Sequence, residues 1–99
     1  MAEAVGEIIF KQLGGYRFIA MTGANNLISD NKGLAFKIGR NPKGITHVRI
    51  TLEPSDTYKM EFMKIRKFPN VKIAATVEGI YCDMLQDIFT EHTGLYTHL

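Results

Sequence analysis

The sequence predicts an α+β fold: an antiparallel meander of about five strands, with a short N-terminal helix and an amphipathic C-terminal helix packed on it. Three observations lead there. Five stretches alternate apolar and polar residues with a period of two, as half-buried strands do. The turn signals between them are short, whereas a parallel crossover needs about a dozen residues or more. Near both ends of the chain, apolar residues recur at helical spacing instead. At 99 residues the chain suits one domain, residues 1–99, because domains commonly run to about 100–150 residues.

The first element is "AEAVGEIIFKQLGG". Val5, Ile8, Ile9 and Leu13 share one helical face, Glu3 and Glu7 fall early, and Gly14-Gly15 mark a stop. Gly6 inside this helix costs about 1 kcal/mol relative to alanine, so the segment needs a sheet to lie on.

The expected strands are "YRFIAMT" (16–22), "LAFKIG" (34–39), "ITHVRITLE" (45–53), "TYKMEFMKIR" (57–66) and "VKIAATV" (71–77). "SDNKG", "RNPKG", "EPSD" and "KFPN" supply turns between them, and "GANN" after residue 22 reads as either a bulge or a longer loop. In "GIYCDMLQDIFTEHTG", Tyr81, Met84, Leu85, Ile88 and Phe89 form a helical stripe. Asp83, Asp87 and Glu91 lie opposite it, and Gly94 stands at the C-cap position. "LYTHL" follows as a tail, with Leu95 placed to fold back on the last turn. The expected core is Phe36, Val48, Ile50, Leu52, Phe62, Ile73, Leu85, Ile88 and Phe89.

Composition narrows the function classes. The chain is 45% hydrophobic and 22% charged, ordinary soluble usage with no low-complexity tract. No apolar run approaches the ~18 residues of a membrane span, and Glu3 and Glu7 stand where a signal peptide would carry positive charge. A single cysteine, Cys82, forms no internal disulfide, which fits a reducing, cytoplasmic setting without contact with a membrane.

The strings "QLGGYRFIAMTGANN", "LAFKIGRN", "VRITLEPSDTY" and "DIFTEHTGLY", in this order over nearly the whole chain, resemble a group of small uncharacterised proteins found in phage and mobile-element genomes. The resemblance carries no catalytic residue across. It implies context: an accessory factor that binds a host protein, a phage protein or DNA, for instance one that neutralises a host defence component.

Charge is unevenly laid out. Residues 32–72 hold ten Lys and Arg against three acids, while residues 73–99 hold four acids and neither Lys nor Arg, so the formal +2 hides a polarised molecule. Lys37, Arg40, Lys43 and Arg49 surround the "GRNPKG" turn, and Lys64, Arg66 and Lys67 follow in the next strand. These seven are the candidate binding residues. They can neutralise phosphates, with Tyr16, Tyr58 or Phe68 adding stacking, or dock on an acidic protein. The bland reading is a solvated sheet face whose lysines guard strand edges, and a pI near 8.8 falls short of a dedicated nucleic-acid domain. The acids Asp83, Asp87 and Glu91 read either as a phosphate mimic or as the wet side of a helix, and the basic chain favours the latter.

No nucleophile motif, phosphate loop or paired-histidine motif occurs, and "GRNPKG" lacks the ending of a phosphate-binding loop. Cys82, His92 and His98 match no zinc spacing, and Asp83 with Asp87 has no pocket to shift a pKa. The expectation is a non-enzymatic protein with no catalytic residues, metal or cofactor, acting by protein–protein interaction. The alternative is nucleic-acid binding through a basic sheet face and the 39–44 turn. Open sheet edges and an uncovered face also lead to the expectation of a homodimer.

Overall fold

A computed structural model of the chain describes residues 4–67 and 70–97. Its elements are α1 (Val5–Leu13), α2 (Tyr16–Thr22), β1 (Asn25–Ser29), β2 (Gly33–Lys37), β3 (His47–Leu52), β4 (Tyr58–Lys67), β5 (Asn70–Ile80) and, after a 3-10 turn at Cys82–Met84, α3 (Leu85–Thr93). The five strands pair antiparallel in chain order, the meander that the short turns dictate. Leu34, Phe36, Val48, Ile50, Met60 and Phe62 from one sheet face join Ile9, Leu13, Phe18, Leu85 and Phe89 from the helices in one buried cluster. The helices therefore cover that face. Phe18, Phe36 and Phe89 join three elements at its centre, with Phe18 edge-on to Phe36 at 5.3 Å and to Phe89 at 5.2 Å.

"YRFIAMT" is α2, not a strand. Gly14 and Gly15, at φ 123° and 63°, turn the chain out of α1 in a conformation other residues rarely adopt. Phe18 and Thr22 then stand one helical turn apart, both buried, and the Thr22 hydroxyl donates to the Phe18 carbonyl at 2.7 Å. Apolar residues occupy both alternating sets of this segment, so the period-two signal was weak and the packing of Phe18 decides. The fifth strand comes instead from Asn25–Ser29, which carries an irregularity between Asn25 and Ile28, with Asn26 at φ 52°.

Three members of the expected core sit elsewhere. Ile73 is 55% exposed, and Leu52 and Ile88 are only half-buried. Ile73 is displaced by a register shift: Ala75 pairs with Phe62 but Ile73 pairs with Met63, so Ala74 is an extra residue and the alternation changes face. In the C-terminal segment β5 runs on through Ile80, which leaves Tyr81 and Met84 exposed and starts α3 at Leu85. Leu85, Phe89 and Thr93 form the buried stripe, Leu95 packs against the core, and Gly94 closes the helix at φ 79° as the sequence indicated. On α1, Ile8 is exposed while Ile9 and Leu13 are buried. The Gln86 side-chain amide donates to the Gln12 and Leu13 carbonyls at 3.3 and 2.9 Å, tying α3 to the C-terminal end of α1.

Candidate functional site

The hairpin of β4 and β5 is the longest in the sheet, ten and eleven residues, and β3 reaches only as far as the pair His47–Met63. Past that pair the hairpin continues as a two-stranded ribbon. Thr46 steadies its root: its hydroxyl accepts the Ile65 N–H at 2.8 Å and donates to the Met63 carbonyl at 3.2 Å. In the ribbon Lys64 lies directly across from Lys72. Lys64, Arg66, Lys67, Asn70, Val71 and Lys72 line an open concavity of about 490 Å³, with four positive charges and no carboxylate among the described lining residues.

The loop between β2 and β3 comes up beside this ribbon. Asn41 shapes it: its side-chain amide donates to the Gly39 and Ile45 carbonyls at 2.9 and 2.6 Å, and its Oδ1 accepts the Ile45 N–H at 3.0 Å. Pro42 leans on Gly94 so closely that a Cβ there would lie 3.0 Å from the proline ring. Arg40 and Arg66 line one hollow with the backbone of this loop, and Gly44 lies beside the Lys64 side chain. The loop is thus fixed by its own hydrogen bonds and by α3, and it presents Arg40 and Lys43 next to the ribbon.

Lys37 and Arg49 do not join this group. They project from the uncovered face of the sheet, Lys37 paired with His47, and Arg49 flanked by Ala35 and Glu61. The Arg49 guanidinium reaches the Asp30 carboxylate at 3.9 Å. Backbone N–H groups of Lys32 and Gly33 hold the Asp30 carboxyl below its ordinary pKa, and Arg49 adds to the effect. His47 is lowered too, first by desolvation and then by the neighbouring Lys37.

The same uncovered face carries apolar residues that sequence reasoning missed. Met63 and Ile65 on β4 pair with Ile73 and Val71 on β5, and Ile28 lies across from Ala35 at the other edge. Ile28 is 64% exposed and Val71 47%. The signal was present in β4, where Met63 and Ile65 occupy the alternate set from Phe62, so both faces of the strand become apolar.

The far end of the sheet is acidic: Glu53 and Glu78 border one hollow, and Lys59 answers Glu53 at 3.8 Å. Asp83, Asp87 and Glu91 are exposed. Tyr58 is buried and its phenol is raised by desolvation, while Tyr16 sits on α2 edge-on to Phe10, so neither stands on the sheet face to stack a base. His92 stacks on Phe62 at 4.8 Å and donates Nδ1–H to the Ile88 carbonyl at 3.1 Å; Cys82 is exposed. Phe68 and His98 lie outside the described residues. Among the described residues no His, Cys, Asp or Glu cluster could hold a metal, and no helix is long and apolar enough to cross a membrane.

Compared with known proteins, the chain matches no family model, no curated protein and no solved structure.

Proposed function

We propose that the protein is a small, non-enzymatic accessory module that works in the cytoplasm by binding another protein through the uncovered face of its sheet. One observation carries this reading: Met63, Ile65, Val71 and Ile73 form an apolar group on a face that none of the described helices covers, bordered by Lys37, His47 and Arg49, with Glu61 and the Asp30 that Arg49 reaches as the acids beside them. An apolar centre inside a charged rim is the anatomy of a protein interface. Charges of both signs in the rim fix the orientation of a partner that presents an apolar ridge with complementary charges beside it. The accessory role, with a host defence component as the partner, is the one expected if the chain is of the small phage-type group that its sequence resembles.

A homodimer is the competing use of the same face, and sedimentation of the purified protein over a wide concentration range separates the two. The partner itself is tested by co-purification from infected or element-bearing cells, comparing the parent chain with Ile73→Glu. Loss of a co-purifying protein from the Ile73→Glu chain, with melting unchanged, supports the interface. Retention of every partner by that variant overturns it.

A further inference from the structure

We propose a second, separate binding site: the basic end of the molecule grips the phosphodiester backbone of a nucleic-acid duplex. The site is built from two elements distant in sequence. Lys64, Arg66, Lys67 and Lys72 come from the β4–β5 ribbon and Arg40 from the 38–46 loop beside it; Lys43 belongs to the same loop, next to Gly44, which lies beside the Lys64 side chain. By strand alternation Lys64 stands on the side of Phe62, with Lys72 across from it, away from the apolar group of Met63 and Ile65; Val71 of that group borders the same concavity, so the two sites adjoin on one hairpin.

The pairing of Lys64 with Lys72 shows that this end is arranged around something other than stability. Like charges directly across a strand pair repel and weaken the sheet. Here the nearby groups that could relieve them, Arg66 and Lys67, carry the same sign. An anion placed between them removes the repulsion. A row of phosphates does so at several points at once, whereas a solvated lysine fringe guarding an edge has no need for facing pairs.

The shape selects a duplex. A two-stranded ribbon is one of the elements that fit a DNA major groove, and the loop held by Asn41 and Pro42 stands where it can reach the adjoining backbone. No described residue lining either concavity is aromatic, so the affinity comes from charge and is nearly indifferent to sequence.

The test is fluorescence anisotropy of a labelled mixed-sequence DNA duplex titrated with the whole chain at salt concentrations between about 50 and 200 mM. Six cations engaging six phosphates give a log–log slope of about −5, and each of Arg66→Gln and Lys72→Gln alone reduces its magnitude by about 0.9. Lys59→Gln, at the other end of the sheet, leaves the slope unchanged. The Lys72→Gln chain also melts at or above the parent temperature when no DNA is present, because the facing charge is gone; this separates lost binding from lost fold. No binding at low salt, a slope untouched by Arg66→Gln and Lys72→Gln, or equal affinity for polyaspartate of matched charge would each overturn the proposal. Tighter binding to the single strand than to the duplex would overturn the assignment to a duplex.

Discussion

Ile73 lies directly across from Met63 on the uncovered face of the sheet, while Ala75, two residues on, lies across from Phe62 in the core. Residues two apart normally share a face, and the extra residue Ala74 breaks the rule. Ile73→Thr should therefore change stability by no more than about 0.5 kcal/mol, as an ordinary surface substitution does. Phe62→Ala removes a ring with no exposure and should cost about 3–5 kcal/mol. Urea unfolding of the two variants tests the register: a large loss in Ile73→Thr would place that side chain in the core after all.

Gly6 reverses a rule of helix propensity. Alanine is the better helix former by about 1 kcal/mol, which favours Gly6→Ala for an isolated helix. In the fold a Cβ at Gly6 would lie 2.5 Å from the Gly33 carbonyl oxygen and 2.8 Å from Ser29 Cα, both backbone atoms of the β1–β2 turn. The Gly6 N–H donates to the Asp30 carbonyl at 3.0 Å, so α1 is held against that turn. Gly6→Ala should destabilise the protein by about 1–3 kcal/mol through overpacking, and a raised melting temperature would show that α1 does not dock there.

The buried stripe of α3 gives a further measure of the helix-on-sheet packing. Leu85 is fully buried beside Phe89. Leu85→Ala should cost about 2–5 kcal/mol, which approaches the whole stability of a small domain. Unchanged melting would remove the helix from the sheet.

Much of this architecture was legible, and the limits have physical causes. The strands from Leu34 onward could be read because Phe36, Val48, Ile50 and Phe62 alternate with polar neighbours, and the turns could be read from Gly33, Gly44 and Asp56. The segment at 16–22 misled because its helical signal is one pair, Phe18 and Thr22, whose burial depends on Phe36 and Phe89 far along the chain. β1 was hidden because Asn25 and Asn26 disfavour strands and occupy an irregularity. For the candidate site, charge counting pointed to residues 32–72 but grouped them by sequence distance. Arg49 is near Lys43 in the chain, yet it faces Asp30; Lys64 and Lys72, eight positions apart, face each other. Only pairing register carries that information.

His47 makes stability depend on pH. Burial and Lys37 favour its neutral form in the folded protein, so its folded pKa lies below the ordinary value of 6.5. Between the two values the unfolded chain binds more protons, and stability therefore rises with pH there. The contribution is full above 6.5 and is lost as pH falls through 6.5 toward the lowered folded value. Urea midpoints measured from pH 8 down to pH 5 should fall, and His47→Gln should flatten the part of that fall that His47 causes. An identical profile in His47→Gln would show that His47 does not carry the dependence.

The two charged regions should respond oppositely to charge reversal. Arg40 and Lys43 stand on a loop whose geometry comes from Asn41, Pro42 and glycines, so Arg40→Glu with Lys43→Glu leaves the loop's hydrogen bonds in place and the melting temperature nearly unchanged. Association with an acidic protein or with duplex DNA should slow, because both approach this end through its field. Asp83→Lys with Asp87→Lys changes the charge by the same amount with the opposite sign, on the exposed side of the C-terminal helical segment. It should leave the dissociation rate unchanged and alter association only through overall charge. Stopped-flow traces of both double variants decide between the faces. If the helix reversal abolishes binding and the loop reversal does not, the binding surface is α3, and the Lys64–Lys72 pair is only a strained end of a hairpin.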